Sequence, residues 1–75
     1  MKTLADLKVG ESGSVAAIDG IDEISIRLME MGLVPGTGFT ILGTAPLGDP
    51  LEIDVRGYRL SLRKTEASRV QIMAG

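Results

Sequence analysis

In residues 51–63 apolar and polar side chains take strict turns. Leu51, Ile53 and Val55 alternate with Glu52, Asp54 and Arg56, and Leu60 and Leu62 alternate with Arg59, Ser61 and Arg63. A period of two marks strands with one face buried, and a slip of one residue would turn every apolar side chain to solvent. Gly57-Tyr58 suits a two-residue hairpin loop with Gly at its first position. That register sets Val55 against Leu60, Ile53 against Leu62, and Glu52 against Arg63. The last is a cross-strand ion pair worth well under ~1 kcal/mol on a surface. Arg56 then faces Arg59, and two guanidinium groups beside a turn are either solvated or await an anionic partner.

A second constraint comes from Met31-Gly32-Leu33-Val34-Pro35-Gly36-Thr37. Ile21, Ile24, Leu28 and Met31 recur at helical spacing, which predicts a helix over 21–31 with one apolar face. Gly32 stands where a helix ends in a left-handed residue. Val34-Pro35-Gly36-Thr37 fits a type II turn, with Pro35 fixing φ and Gly36 taking positive φ. Leu33 and Val34 are expected to pin this turn to the core. Phe39 to Ala45 then reads as a strand.

Elsewhere the signals are shorter. Thr3-Leu4-Ala5-Asp6 has the form of a capping box, with Leu4, Leu7 and Val9 suggesting one helical turn on the core. Glu11 to Ile18 reads as a strand of small residues, with Gly13 marking a bulge or bend. Asp19-Gly20 is a turn, and Asp22 and Glu23 suit the start of the helix, with Asp22 a candidate N-cap. Pro46-Leu47-Gly48-Asp49-Pro50 must be a loop. Thr65 to Ser68 suits a helical turn, and Val70, Ile72 and Ala74 alternate as a last strand. Short strands, tight turns and one helix predict a mainly β domain over 1–75: a small, bent antiparallel barrel with one inserted helix. Closure would remove the sheet edges that so small a domain could not otherwise cover.

Composition narrows the chemistry. The 75 residues include no cysteine and no histidine, so disulfides and zinc staples are excluded. No apolar run nears the roughly 20 residues that span a bilayer, and no signal-peptide core follows Lys2. The expectation is a soluble cytoplasmic domain. Net charge is −2, but residues 1–55 carry nine acids and three bases while residues 56–75 carry five bases and one acid. That basic group is Arg56, Arg59, Arg63, Lys64 and Arg69.

Three segments, Leu28 to Thr37, Ala45 to Pro50 and Val55 to Lys64, together resemble the FeoA family, the small cytoplasmic component of bacterial ferrous-iron uptake. The likeness runs from about Leu4 to Ile72. It implies an SH3-like barrel with a helical insertion. It also implies a binding role beside a membrane ferrous-iron transporter whose cytoplasmic part is a GTP-binding domain. The same barrel forms the C-terminal domain of iron-dependent repressors of the diphtheria-toxin-repressor type; this chain has no room for their DNA-binding and metal-binding domains, so the stand-alone form is expected.

The residues themselves argue for binding rather than chemistry. Ferrous iron favours imidazole, thiolate or clustered carboxylates. The acidic groups Asp19, Asp22, Glu23 and Asp49, Glu52, Asp54 are read as helix-start and solvent-face residues, so no metal or cofactor site is expected. There is no histidine base, Cys nucleophile or Ser-centred motif, so no enzyme is expected. Gly36-Thr37-Gly38 lacks the spacing and the Lys-Ser/Thr ending of a phosphate loop. Candidate contacts to a protein partner are Leu47, Gly48 and Asp49 in the Pro-bounded loop, and Arg56, Tyr58 and Arg59 at the hairpin. Met29 and Leu33 are weighed between partner contact and core packing, with core packing favoured. Tyr and Arg are common at binding hot spots. The rival reading is nucleic-acid binding through the basic C-terminal group, against which stand a pI near 4.9 and a single tyrosine for stacking.

Overall fold

The structure, a computed structural model, describes residues 2–74. A single turn of 3-10 helix, Leu4–Asp6, leads into β1 (Ser12–Ile18), α1 (Glu23–Glu30), β2 (Gly38–Thr44), β3 (Leu51–Val55), β4 (Tyr58–Leu62), α2 (Lys64–Ala67) and β5 (Val70–Ala74). The strands form one antiparallel sheet in the order β4-β3-β2-β1-β5. A mainly β chain with one helix, α1, inserted between β1 and β2 is therefore what folds.

The sheet does not close into a barrel. β4 and β5 are its two ends and do not pair. The physical reason lies in what occupies β5's outer edge. Thr3 bridges Gln71, and the Ile72 N–H donates to the Lys2 carbonyl at 3.1 Å. The N-terminal segment thus satisfies backbone groups that closure would have used, and α2 carries the chain from one end of the sheet to the other.

The start of the chain behaves as its sequence suggests. Asp6 accepts from the Thr3 N–H at 2.9 Å, the return half of a capping box, and Leu4 is wholly buried. In β1 the irregularity falls between Val15 and Ala17, not at Gly13. The reason is the turn that follows α1: the Val15 N–H donates to the Thr37 carbonyl and its carbonyl accepts from the Gly36 N–H, both at 2.8 Å. Held on both sides at Val15, the strand takes up the extra residue just after it.

α1 begins two residues later than the periodicity predicts. Asp22 is its N-cap and accepts from the Ser25 N–H at 3.2 Å. Ile21 therefore lies outside the helix, 98% exposed, instead of on its apolar face. The helix ends in a Schellman motif: Leu33 N–H to Leu28 carbonyl, Gly32 N–H to Met29 carbonyl, with Gly32 at φ 100. The type II turn forms as expected, Gly36 at φ 91 and Thr37 N–H to Val34 carbonyl at 3.0 Å. Leu33 is buried and anchors it, whereas Val34 is left partly exposed.

The hairpin corrects the predicted register. Its loop is Arg56-Gly57, one residue earlier than expected, so Val55 faces Tyr58, Ile53 faces Leu60 and Leu51 faces Leu62. Both loop residues have positive φ, 53 and 89, as a type I′ turn requires, and this turn matches the twist of the flanking strands. The inward face is unchanged, because each partner moves by two residues. Leu51, Ile53, Val55 and Leu62 are buried with Leu28, Leu33, Phe39 and Ile41 in one core.

Candidate interaction site

The six residues expected to meet a partner do not form one cluster. Leu47, Gly48 and Asp49 lie in the β2–β3 loop, at the Leu51 end of β3. Arg56, Tyr58 and Arg59 lie at the Val55 end. Five extended residues separate those ends by roughly 13 Å.

At the loop end, Leu47 is 94% exposed. A large apolar side chain held that far into solvent makes no contribution to this fold. Asp49 is partly committed: its carboxylate accepts from the Lys64 N–H at 2.9 Å, one of the unpaired donors that open α2. The loop is thereby tied to the start of α2, over a small hollow lined by Ala5, Leu7, Thr44, Gly48, Leu51 and Lys64.

At the hairpin end, Tyr58 opens β4 instead of sitting in the loop. Its hydroxyl donates to the Met31 carbonyl at the end of α1. The ring is nonetheless 42% exposed, as is Met29 on the same end of α1. Leu33, by contrast, is core. Arg56 and Arg59 do not face each other. Arg56 occupies the turn, and Arg59 faces Asp54 and pairs with Glu52 at 3.5 Å. The expected Glu52–Arg63 pair does not form, because the corrected register puts Ser61 opposite Glu52.

The carboxylates have structural work. Asp22 receives Arg69 at 2.6 Å, and this hydrogen bond, with that from the Ser25 N–H, holds its carboxyl below the ordinary value of 3.8. Asp19 accepts from the Gln71 amide at 2.5 Å. Glu66, which the sequence marked only as part of a polar turn, does two things at once. One oxygen accepts from the Arg63 N–H at 2.9 Å and the other pairs with Arg27 of α1 at 2.8 Å. Nothing in the local sequence signals a contact spanning 39 residues. Among the described residues no group of three or more acidic side chains is placed to hold a metal ion.

A family model for the FeoA domain matches residues 2–74. The chain belongs to the FeoA family. A FeoA-like protein from Clostridium acetobutylicum, solved by NMR, is similar at 36% identity and TM-score 0.90, over 96% of this chain and 84% of that one. FeoA from Stenotrophomonas maltophilia, crystallised with zinc and described as a prokaryotic SH3 domain protein, is similar at 33% identity and TM-score 0.87, over 99% and 92%. The residues of this FeoA-family chain do not fit a zinc site: it lacks histidine and cysteine, and its acids are dispersed or already paired. A fusion protein of Porphyromonas gingivalis, named as Fe(2+) transport protein A joined to the Fe(2+) transporter FeoB, is 30% identical over 69 residues. That match takes in 92% of this chain but 8% of the fusion protein's length. No helix among the described residues is long and apolar enough to cross a membrane.

Proposed function

We propose that this FeoA-family chain is a non-catalytic accessory protein of bacterial ferrous-iron uptake, acting in the cytoplasm by docking on the GTP-binding part of the membrane iron transporter. One observation carries the reading. In the Porphyromonas gingivalis relative, a segment like this chain is joined to the transporter in a single polypeptide. Covalent fusion keeps two partners at high effective concentration, which is useful only where they work in contact. The side chains agree with docking. Leu47 and Met29 present apolar surface to solvent, and Arg56 carries a charge with no partner among the described residues.

The test is capture of the transporter's cytoplasmic domain by the full chain, with GDP and with a non-hydrolysable GTP analogue. Leu47→Glu removes an exposed anchor without touching the core, and weakened capture at unchanged thermal stability is expected. Tyr58→Phe is the matching variant at the hairpin end; it keeps the ring and drops only the bond to Met31. Unchanged capture by both variants would clear Leu47 and the Tyr58 hydroxyl from the contact, and failure of the unaltered chain to capture the domain in either nucleotide state would remove the reading.

A further inference from the structure

β4 is an end strand of the sheet, and its outer edge is unclaimed among the described residues. In a two-residue hairpin the closing pair, Val55 and Tyr58, exchanges hydrogen bonds, and every second pair after it does the same. Ile53–Leu60 and Leu51–Leu62 are then the bonded pairs. The N–H and C=O groups of Arg59 and Ser61 point away from β3. None of these four groups takes part in the turn, loop or cap hydrogen bonds of the chain. The other end of the sheet is different, since residues 2 and 3 meet β5 there.

The side chains of β4 say what kind of strand would fit. Tyr58 and Leu60 stand on the core side; Leu60 is half-buried, and Tyr58 keeps an exposed flank although its hydroxyl reaches the end of α1. Arg59 and Ser61 are exposed on the solvent side, and Arg63, the next position in that alternation after Ser61, follows just past the end of the strand. A strand laid along this edge would therefore meet half-covered apolar surface on one face and guanidinium groups on the other. β3 already solves the same problem on β4's inner edge. Its pattern is Leu-Glu-Ile-Asp-Val, with the apolar residues buried and Glu52 and Asp54 toward Arg59.

We infer that the outer edge of β4 is a docking site for an extended, acidic segment of a partner protein, with acids alternating with apolar residues, added as a sixth strand. Charge complementarity selects this occupant. A second copy of the chain is a poor fit: antiparallel pairing of two β4 edges about Ser61 sets Arg59 of each against Arg63 of the other. Charged side chains can also serve merely to keep an edge unpaired. The two roles part on one point, since an edge that is only guarded accepts no strand of either charge. The inference holds whether or not the segment belongs to the transporter.

The probe is a capped peptide that extends the β3 pattern, Leu-Glu-Ile-Asp-Val-Glu-Ile, with a counterpart carrying Lys at each acidic position. Each is titrated into the isotopically labelled full chain, and amide hydrogen exchange is read residue by residue. The acidic peptide should slow exchange at Arg59 and Ser61 by about tenfold or more while the Lys peptide leaves both unchanged. In the double variant Arg59→Glu, Arg63→Glu the preference should reverse. Ser61→Pro removes only an outward N–H and should abolish the response. Should the charge variant fail to fold, the Pro variant and the peptide pair still decide. Unchanged exchange at Arg59 and Ser61, equal protection by both peptides, or binding of a single-stranded oligonucleotide in place of the acidic peptide would overturn the inference.

Discussion

Tyr58 shows how one side chain can serve two ends of a fold. The sequence places it in a hairpin loop; the structure makes it the first residue of β4, with its hydroxyl on the Met31 carbonyl. That carbonyl belongs to the last turn of α1, where helix carbonyls lack partners within the helix. Gly32 lies directly beneath the hydroxyl, and a Cβ there would collide with it. Gly32 is thus required twice, for its φ of 100 and for the space above it. Gly36 has a similar φ but nothing within 4 Å of a Cβ. Gly36→Ala should therefore cost about 1–2 kcal/mol from backbone strain alone, and Gly32→Ala distinctly more. Urea denaturation of both variants checks the order. In a Tyr58→Phe background the extra cost at Gly32 should shrink, because the colliding oxygen is gone; equal costs in both backgrounds would show that backbone strain is the whole effect. Asp22 gives a second residue-scale prediction. Arg69 first, and then the Ser25 N–H, lower its folded pKa, so the ionised form is favoured in the folded state. Its contribution is complete above the unfolded value and is lost as pH falls through the lowered folded value. Asp6 adds to the same acid loss through Thr3. Asp22→Asn keeps a capping oxygen but not the charge. It should be less stable at neutral pH, lose less on acidification, and converge with the parent once pH has fallen below the lowered folded value, read in urea midpoints.

Among the elements, the hairpin was nearly legible and its error is instructive. Alternation over 51–63 identifies both strands and the buried face, since period two needs only the two nearest neighbours. The loop position is not encoded there, because shifting the loop by one residue moves partners by two and leaves the inward face intact. Placing Gly57 second requires Arg56 to adopt φ 53, a conformation that costs a side chain like Arg about 1 kcal/mol. What offsets it is remote: the corrected register brings Tyr58 to the end of α1. Asn is the residue type this first loop position favours. Arg56→Asn should accordingly raise stability by roughly 1 kcal/mol, or about 4–8 °C in Tm, read by thermal melting. α1 tells the same story. Gly32, Pro35 and Gly36 announced its end and the turn beyond it, because each acts through its own backbone. Helical spacing alone sets its start two residues early, because Ile21 fits the period although Asp22 caps the helix behind it. The partner residues were the least legible part. Leu47 and Arg56 do stand exposed, but Asp49 is drawn to Lys64 and Tyr58 to Met31 by neighbours distant in sequence.

For the molecule as a whole, the decisive difference between expectation and structure is how a small sheet manages its two edges. Closure into a barrel would hide both at once. This chain instead covers one edge with its own N-terminal segment and leaves the other as β4. Leu4 is the pin of that arrangement. It is wholly buried, its short helix packs on α2, and residues 2 and 3 just before it bond to β5. A chain of 75 residues has a total stability on the order of 4–11 kcal/mol. Truncating a buried leucine costs about 2–5 kcal/mol, so Leu4→Ala removes a large share of that total. More is expected than a lower urea midpoint. Loosening the N-terminal segment uncovers β5's edge, so exchange should quicken first at Ile72, whose N–H bonds to Lys2. Leu28→Ala supplies the control, since Leu28 is equally buried but lies in α1, far from that edge in the chain. At matched loss of stability, Leu4→Ala should show the greater local exchange at Ile72 and a concentration-dependent rise in light scattering as uncovered edges meet. Equal behaviour of the two variants would mean that the N-terminal segment contributes core volume alone, and that β5 needs no cover.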